Sequence, residues 1–240
     1  MRCVAVIATV AACGFTPRAV GSDPGIDAIR APIDAQTTTD AALVSQACTV
    51  TPSSTLAAAG SIGGGGGSSE TALACGGSEL PIGIQLDMSN MAIPNHGNEV
   101  VAVATHMRCG AIKRDASGAM MTVQAELVTQ LGDQGSGDCS KYFPTTATSE
   151  VDCPNGAVIV GLDGNLPLDT LFNSLTITCA SLSGATITTT TLTRPVDQTD
   201  ATDHPQSAPC PPGSALAQLG LQGGCAQDEL LPQCAALTCN

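Results

Sequence analysis

A cysteine, a tight turn and a short aliphatic strand, closed one strand later by a second cysteine, recur three times along the chain. The copies read "CGGSELPIGIQLDMSNMAIPNHGNEVVAVATHMRC" from Cys75 to Cys109, "CPNGAVIVGLDGNLPLDTLFNSLTITC" from Cys153 to Cys179, and "CPPGSALAQLGLQGGCAQDELLPQCAALTC" from Cys210 to Cys239. Aliphatics fall along the first strand of each: Ile82, Ile84 and Leu86, then Ile159, Val160 and Leu162, then Leu216, Leu219 and Leu221. After a loop of variable length, a second strand carries Val101, Leu171 or Leu231, and then Met107, Ile177 or Leu237 two residues before the last cysteine. A further strand and a small-residue or acidic loop precede each copy, so the repeating units span about 48–112, 113–182 and 183–240. One such unit is too small to bury both faces of its own sheet, so repetition implies that the three share a core.

That core has to be aliphatic. The 240 residues are 43% hydrophobic yet hold no Trp, one Tyr and three Phe, while cysteine reaches 12. Short runs of Thr, Val, Leu and Ile broken by Gly, Asp, Ser and Pro, without a sustained 3.6-residue stripe, predict an all-β body. The Cys-Pro-X-Gly turn, the strand containing Gly-Leu or Gly-Ile, the polar loop and the closing strand ending in Cys resemble the repeat of the vitelline membrane outer layer protein family. That resemblance implies a β-prism of three Greek-key sheets with pseudo-threefold symmetry, the β-prism I type also found in jacalin-type lectins, whose glycine loop Gly60 to Gly67 resembles. It covers roughly Cys48 to Asn240. The third copy departs from it with Gln218 where the others have Gly83 and Gly161, and the first has Gly76 and Gly77 in place of the Pro-X-Gly turn. A β-sandwich of tandem disulfide hairpins is the alternative.

The repeat itself predicts bridges Cys75 with Cys109, Cys153 with Cys179 and Cys210 with Cys239, each tying neighbouring strands together. Cys225 and Cys234 lie inside the third copy and are expected to bridge locally, with Cys48 and Cys139 left over.

Disulfides require export, and the N-terminus reads that way. "MRCVAVIATVAACG" has one charge at Arg2, an apolar run, and small residues before Cys13, the form of a signal peptide over residues 1–12 rather than a membrane span. "VAAC" resembles the lipobox of bacterial lipoproteins, which implies a lipid anchor on Cys13; ordinary secretion is the alternative. With Gly14 following, the expected location is the outer membrane or cell surface. Residues 13–47, rich in Pro, Asp, Thr and Ala, are expected to form a flexible spacer.

A net charge of −13 leaves no basic patch for nucleic acid or an anionic membrane surface. Catalytic grammar is missing too. His96, His106 and His204 have no HExxH or paired-ligand spacing, and no Gly-X-Ser-X-Gly elbow occurs. The run from Gly63 is followed by Ser68 rather than the Gly-Lys of a phosphate loop. "HMRC", His106 to Cys109, lacks a second ligand pair for zinc, and Asp163, Asn165 and Asp169 lack the full grammar of a calcium loop. The 21 acids offer no selected pair for glycoside hydrolysis. Neither enzymatic activity nor a metal or other cofactor is therefore expected. A structural or adhesive envelope protein is the reading favoured at this level. The alternative implied by the prism resemblance is a carbohydrate-binding module using apex loops such as Gly63–Ser68 and Gly132–Asp138, with Tyr142 the one aromatic near them.

Overall fold

A computed structural model describes residues 47–64, 69–93, 97–132, 143–166, 171, 173–183, 186–195 and 204–240. The chain divides into two units, Met1–Ala41 and Ala42–Asn240, and every described residue belongs to the second. The signal, Cys13 and nearly all of the expected spacer lie outside the described residues, as does Cys139.

The strands are β1 (Cys48–Ala58), β2 (Ile62–Gly63), β3 (Ser69–Ala74), β4 (Leu80–Ile93), β5 (Gly97–Arg114), β6 (Met120–Gly132), β7 (Ala147–Asp152), β8 (Ala157–Leu166), β9 (Ser174–Ser183), β10 (Thr186–Pro195), β11 (His204–Pro209), β12 (Ser214–Gly223) and β13 (Gln227–Cys239). Among the described residues there is no helix.

Three Greek keys emerge from the pairing. One runs β7-β4-β5-β6 and another β11-β8-β9-β10, with three hairpin-linked strands and a fourth returning beside the first. The third runs β3-β12-β13-β1, with β2 continuing β1 alongside β13. It has the same order, assembled from two separated stretches of chain, 48–74 and 214–239. A ladder of Cys48, Thr49 and Val50 on Arg114, Lys113 and Ile112 joins it to the β4–β7 sheet. This is the threefold arrangement of a β-prism. The sequence units keep its period but start half a sheet early: each supplies the last two strands of one sheet and the first two of the next.

The turns that open the sheets explain why cysteine and glycine travel together. Ala157 N donates to Pro154 O, Ser214 N to Pro211 O and Glu79 N to Gly76 O, so each is a four-residue turn. In the first two, Gly156 and Gly213 take φ of 74° and 80° at the third position, where glycine is unstrained. The preceding cysteine is the hinge between sheets: Cys153 N donates to Ile82 O on β4, and Cys210 N to Val160 O on β8.

Cys75 is bonded to Cys109 and Cys153 to Cys179. The third copy differs from the expected pairing. Cys210 is bonded to Cys234, and Cys239 to Cys48. Register supplies the reason. Cys109 faces Pro81, Cys179 faces Ile159 and Cys234 faces Leu216, each immediately before a bulge in the first strand, so Cys234 is the structural counterpart. Matching the copies by their last cysteine placed Cys239 there instead. Cys239 lies opposite Val50, beside Cys48. A local Cys225–Cys234 bridge is excluded because Cys234 is taken; Cys225 is itself disulfide-bonded, and Cys48 is not left over.

One hydrophobic cluster draws on all three sheets: Ile84, Leu86 and Met107 from one, Ile159, Leu162 and Ile177 from another, Leu216, Leu219 and Leu230 from the third. A second cluster gathers Leu80, Val158 and Ala215, which occupy the same position after each turn, together with Val50, Ile112 and Leu182. Apart from Ser89, Thr105, Asn173, Ser214 and Gln227, the buried side chains among the described residues are aliphatic or sulfur-bearing. Such a core gains from area rather than from ring stacking.

Candidate functional site

The sheet built from two stretches of chain turns at its apex through the β12–β13 hairpin, "GGCAQD" from Gly223 to Asp228. Gln222 faces Glu229 and Gly223 faces Gln227, so Asp228 is the extra residue of a β-bulge. Bulges of this kind re-aim side chains at the ends of ladders. On the other side of β13, Gly63 faces Glu229, and Gly64 N donates to Asp228 O at 3.1 Å. Gly63 has φ of 125°, and a Cβ there would collide with the main-chain oxygen of Asp228. Only glycine lets the two backbones approach this closely.

Side chains from the other two sheets lock the apex. Gln206 on β11 accepts a hydrogen bond from Gly63 N at 2.7 Å through Oε1. Thr105 on β5 donates to Gln227 Oε1 at 2.5 Å, both residues being buried. Asp228 is half-buried, and burial raises its carboxyl above the ordinary aspartate range. No hydrogen bond or ion pair from the described residues reaches that carboxylate. It is an acceptor held on a braced frame without a partner among the described residues.

A second polar array crosses the outer face of the β4–β7 sheet. His106 Nε2 lies 3.0 Å from Asp87 Oδ2, and Thr148 Oγ1 donates to Asp87 Oδ1 at 2.9 Å. Arg108 pairs with both Glu150 and Asp152. The Thr148 hydroxyl and the His106 ring both address Asp87 rather than each other, so this arrangement does not activate a nucleophile. Its groups pair with one another across three strands, with Arg108 Nε and Asp152 Oδ1 left without a hydrogen bond among the described residues.

The expected site residues separate on inspection. Gly63 and Gly64 belong to the apex, while 65–68 lie outside the described residues. Gly132 ends β6 opposite Ala104; 133–138 and Tyr142 are outside. His106 turns to Asp87, whereas Cys109 is a buried half-cystine, so the two do not share an ion. Asp163 and Asn165 sit in mid-strand and near the end of β8, paired with Ser207 and Pro205; Asp169 is outside. Among the described residues, no three His, Cys, Asp or Glu side chains gather as a metal site requires. Asp228, Gln206, Thr105 and Gln227 were not anticipated. The available signal was Gly223-Gly224 followed by an acid in the third copy, which the nearby cysteines masked.

No protein-family model and no curated protein matches the chain. Among solved structures, it is similar to an agglutinin from Calystegia sepium, with 16% identity and a TM-score of 0.43 over 78% of this chain and 97% of that one. A Calsepa lectin in complex with a biantennary N-glycan gives 15% identity and a TM-score of 0.46, covering 77% and 98%. A mannose-specific jacalin-related lectin from Morus nigra in complex with mannose gives 14% identity and 0.41, covering 76% and 96%.

Proposed function

We propose that the protein is a non-enzymatic carbohydrate-binding module whose site is the apex formed by Gly63, Gly64 and the Gly223–Asp228 hairpin. The observation that carries this reading is the Asp228 carboxylate, half-buried at a bulge and without a partner among the described residues, on a backbone held from three sheets. Sugar hydroxyls are well suited to such a group, because a charged acceptor makes hydrogen bonds about twice as strong as neutral ones. Gly224 in the same hairpin, where a Cβ would meet nothing within 4 Å, leaves an open side for a ring to approach. Hydrogen bonding on a braced frame also removes the need for an aromatic platform, whose scarcity favoured a purely structural role. An adhesive role remains compatible, with the glycan as the adhesive target.

The test is a glycan array including peptidoglycan fragments and lipopolysaccharide, run with wild type and Asp228→Ala. Saturable binding that Asp228→Ala weakens at least about tenfold supports the reading, since truncating one charged hydrogen-bonding partner costs on that order. Binding unaffected by the substitution places the ligand elsewhere and overturns it.

The N-terminal sequence supports display by a lipid on Cys13, spaced from the body by residues 14–47. Cys13→Ser should move the protein from the detergent-soluble envelope fraction to a soluble or unprocessed form. Unchanged fractionation refutes lipidation.

A further inference from the structure

The charges around the apex narrow its ligand. Every strand of the sheet that carries it, β1, β2, β3, β12 and β13, lacks Lys and Arg, as does β11, which supplies Gln206. The described Lys and Arg residues are Arg108, Lys113 and Arg114 on β5 and Arg194 on β10. Acids on the apex sheet are Glu70, Asp228 and Glu229, the last two consecutive and the last opposite Gly63. An anionic sugar would therefore bring a like charge to a half-buried carboxylate with no described Lys or Arg on those strands to offset it. A neutral sugar satisfies Asp228 with a hydroxyl. A protonated amine satisfies both its hydrogen-bonding capacity and its charge.

Resting on the carbohydrate-binding reading above, we infer that the apex selects sugars bearing a free amine, glucosamine-type units, over their N-acetylated counterparts and over acidic sugars, with Asp228 as the specificity-determining residue. N-acetylation removes the ammonium, and with it the charge that Asp228 can pair. Glu229 adds to the attraction without a cation of its own among the apex strands.

The experiment compares a glucosamine trimer, an N-acetylglucosamine trimer and a uronic-acid oligomer of similar length by calorimetric titration at pH 6. Asp228→Asn is nearly isosteric and removes the charge at the site. Glu79→Gln, in the turn that opens β4, removes the same charge from another sheet. Wild type should bind the amine form about tenfold tighter than the acetylated form, with no detectable binding of the acidic oligomer. The preference should vanish in Asp228→Asn and persist in Glu79→Gln. Equal affinity for the amine and acetylated forms, or equal loss of preference in the two variants, overturns the inference. Glycan binding without an amine preference leaves the carbohydrate-binding reading intact, whereas the absence of any glycan binding overturns both.

Discussion

The β8–β11 sheet and the β12–β13–β1–β3 sheet have the same strand order but are held differently. The first is a continuous stretch, and its bridge among the described residues, Cys153–Cys179, joins residues 26 apart. The second is assembled from stretches at opposite ends of the body. It has the equivalent bridge Cys210–Cys234, 24 residues apart, and also Cys48–Cys239, 191 apart. Backbone bonds reinforce that seam: Thr49 N donates to Asn240 O at 2.8 Å and Asn240 N to Thr49 O at 3.0 Å. Local connection thus supplies in one sheet what a long-range covalent link supplies in the other. The candidate site lies on the sheet that depends on the link.

The largest expected effect comes from cutting that link. In the chain-entropy model, Cys48→Ala with Cys239→Ala should cost about 5 kcal/mol, against about 3.5 for Cys153→Ala with Cys179→Ala. Calorimetry on both double variants tests the ranking. A single lowered transition in each case is expected, since all three sheets feed one core. Separate transitions would contradict the shared core, and a larger loss from the Cys153–Cys179 pair would reverse the comparison.

Next in size is Gly63→Ala. Its Cβ would enter the space of the Asp228 main chain at a φ of 125°, so the apex has to open at a cost of about 2–4 kcal/mol. Alanine at Gly76, where a Cβ meets nothing within 4 Å, should leave the melting midpoint nearly unchanged. Thr105→Val should cost about 1–3 kcal/mol by removing the donor to buried Gln227 Oε1. It should weaken the apex more than the β8–β11 sheet, a difference that hydrogen exchange resolves strand by strand.

Much of this comparison was legible in the sequence. The period of the repeat and the aliphatic positions on the first strands are visible as text, because alternation and turn chemistry are local. The phase was not, since pairing β1 with β13 brings together residues 191 apart and no local signal marks it. The third copy was misaligned for a related reason. It has three cysteines after the turn, Cys225, Cys234 and Cys239, and only the bulge opposite Leu216 distinguishes the structural one. Asp228 went unnoticed because an acid in a hairpin acquires meaning only from what surrounds it. Its burial and its lack of partners among the described residues are tertiary facts.

The smallest expected effect concerns that residue. A carboxyl whose folded pKa is raised favours the folded state fully below its unfolded value, and the advantage is lost as pH rises through the folded value. Asp228→Asn should therefore slightly raise the melting midpoint at pH 7, and the difference should disappear by pH 3. The same charge removal on the β8–β11 sheet, Asp163→Asn, provides the reference. A neutral-pH midpoint lowered by Asp228→Asn would mean that the carboxylate has a stabilising partner after all.

The seam between β1 and β13 also sets an order of events during biogenesis. A chain emerging from a ribosome or a translocation pore presents residues 48–58 long before residues 227–239, their main pairing partner, exist on the far side. Until then β1 is an unsatisfied edge and Cys48 a thiol without its mate, both open to the wrong neighbour. The Cys75–Cys109 and Cys153–Cys179 bridges can form as their own hairpins emerge. A pulse-chase under oxidising conditions should therefore show those two bridges appearing first and Cys48–Cys239 last, with nascent chains that stop before β13 captured by an added holdase chaperone.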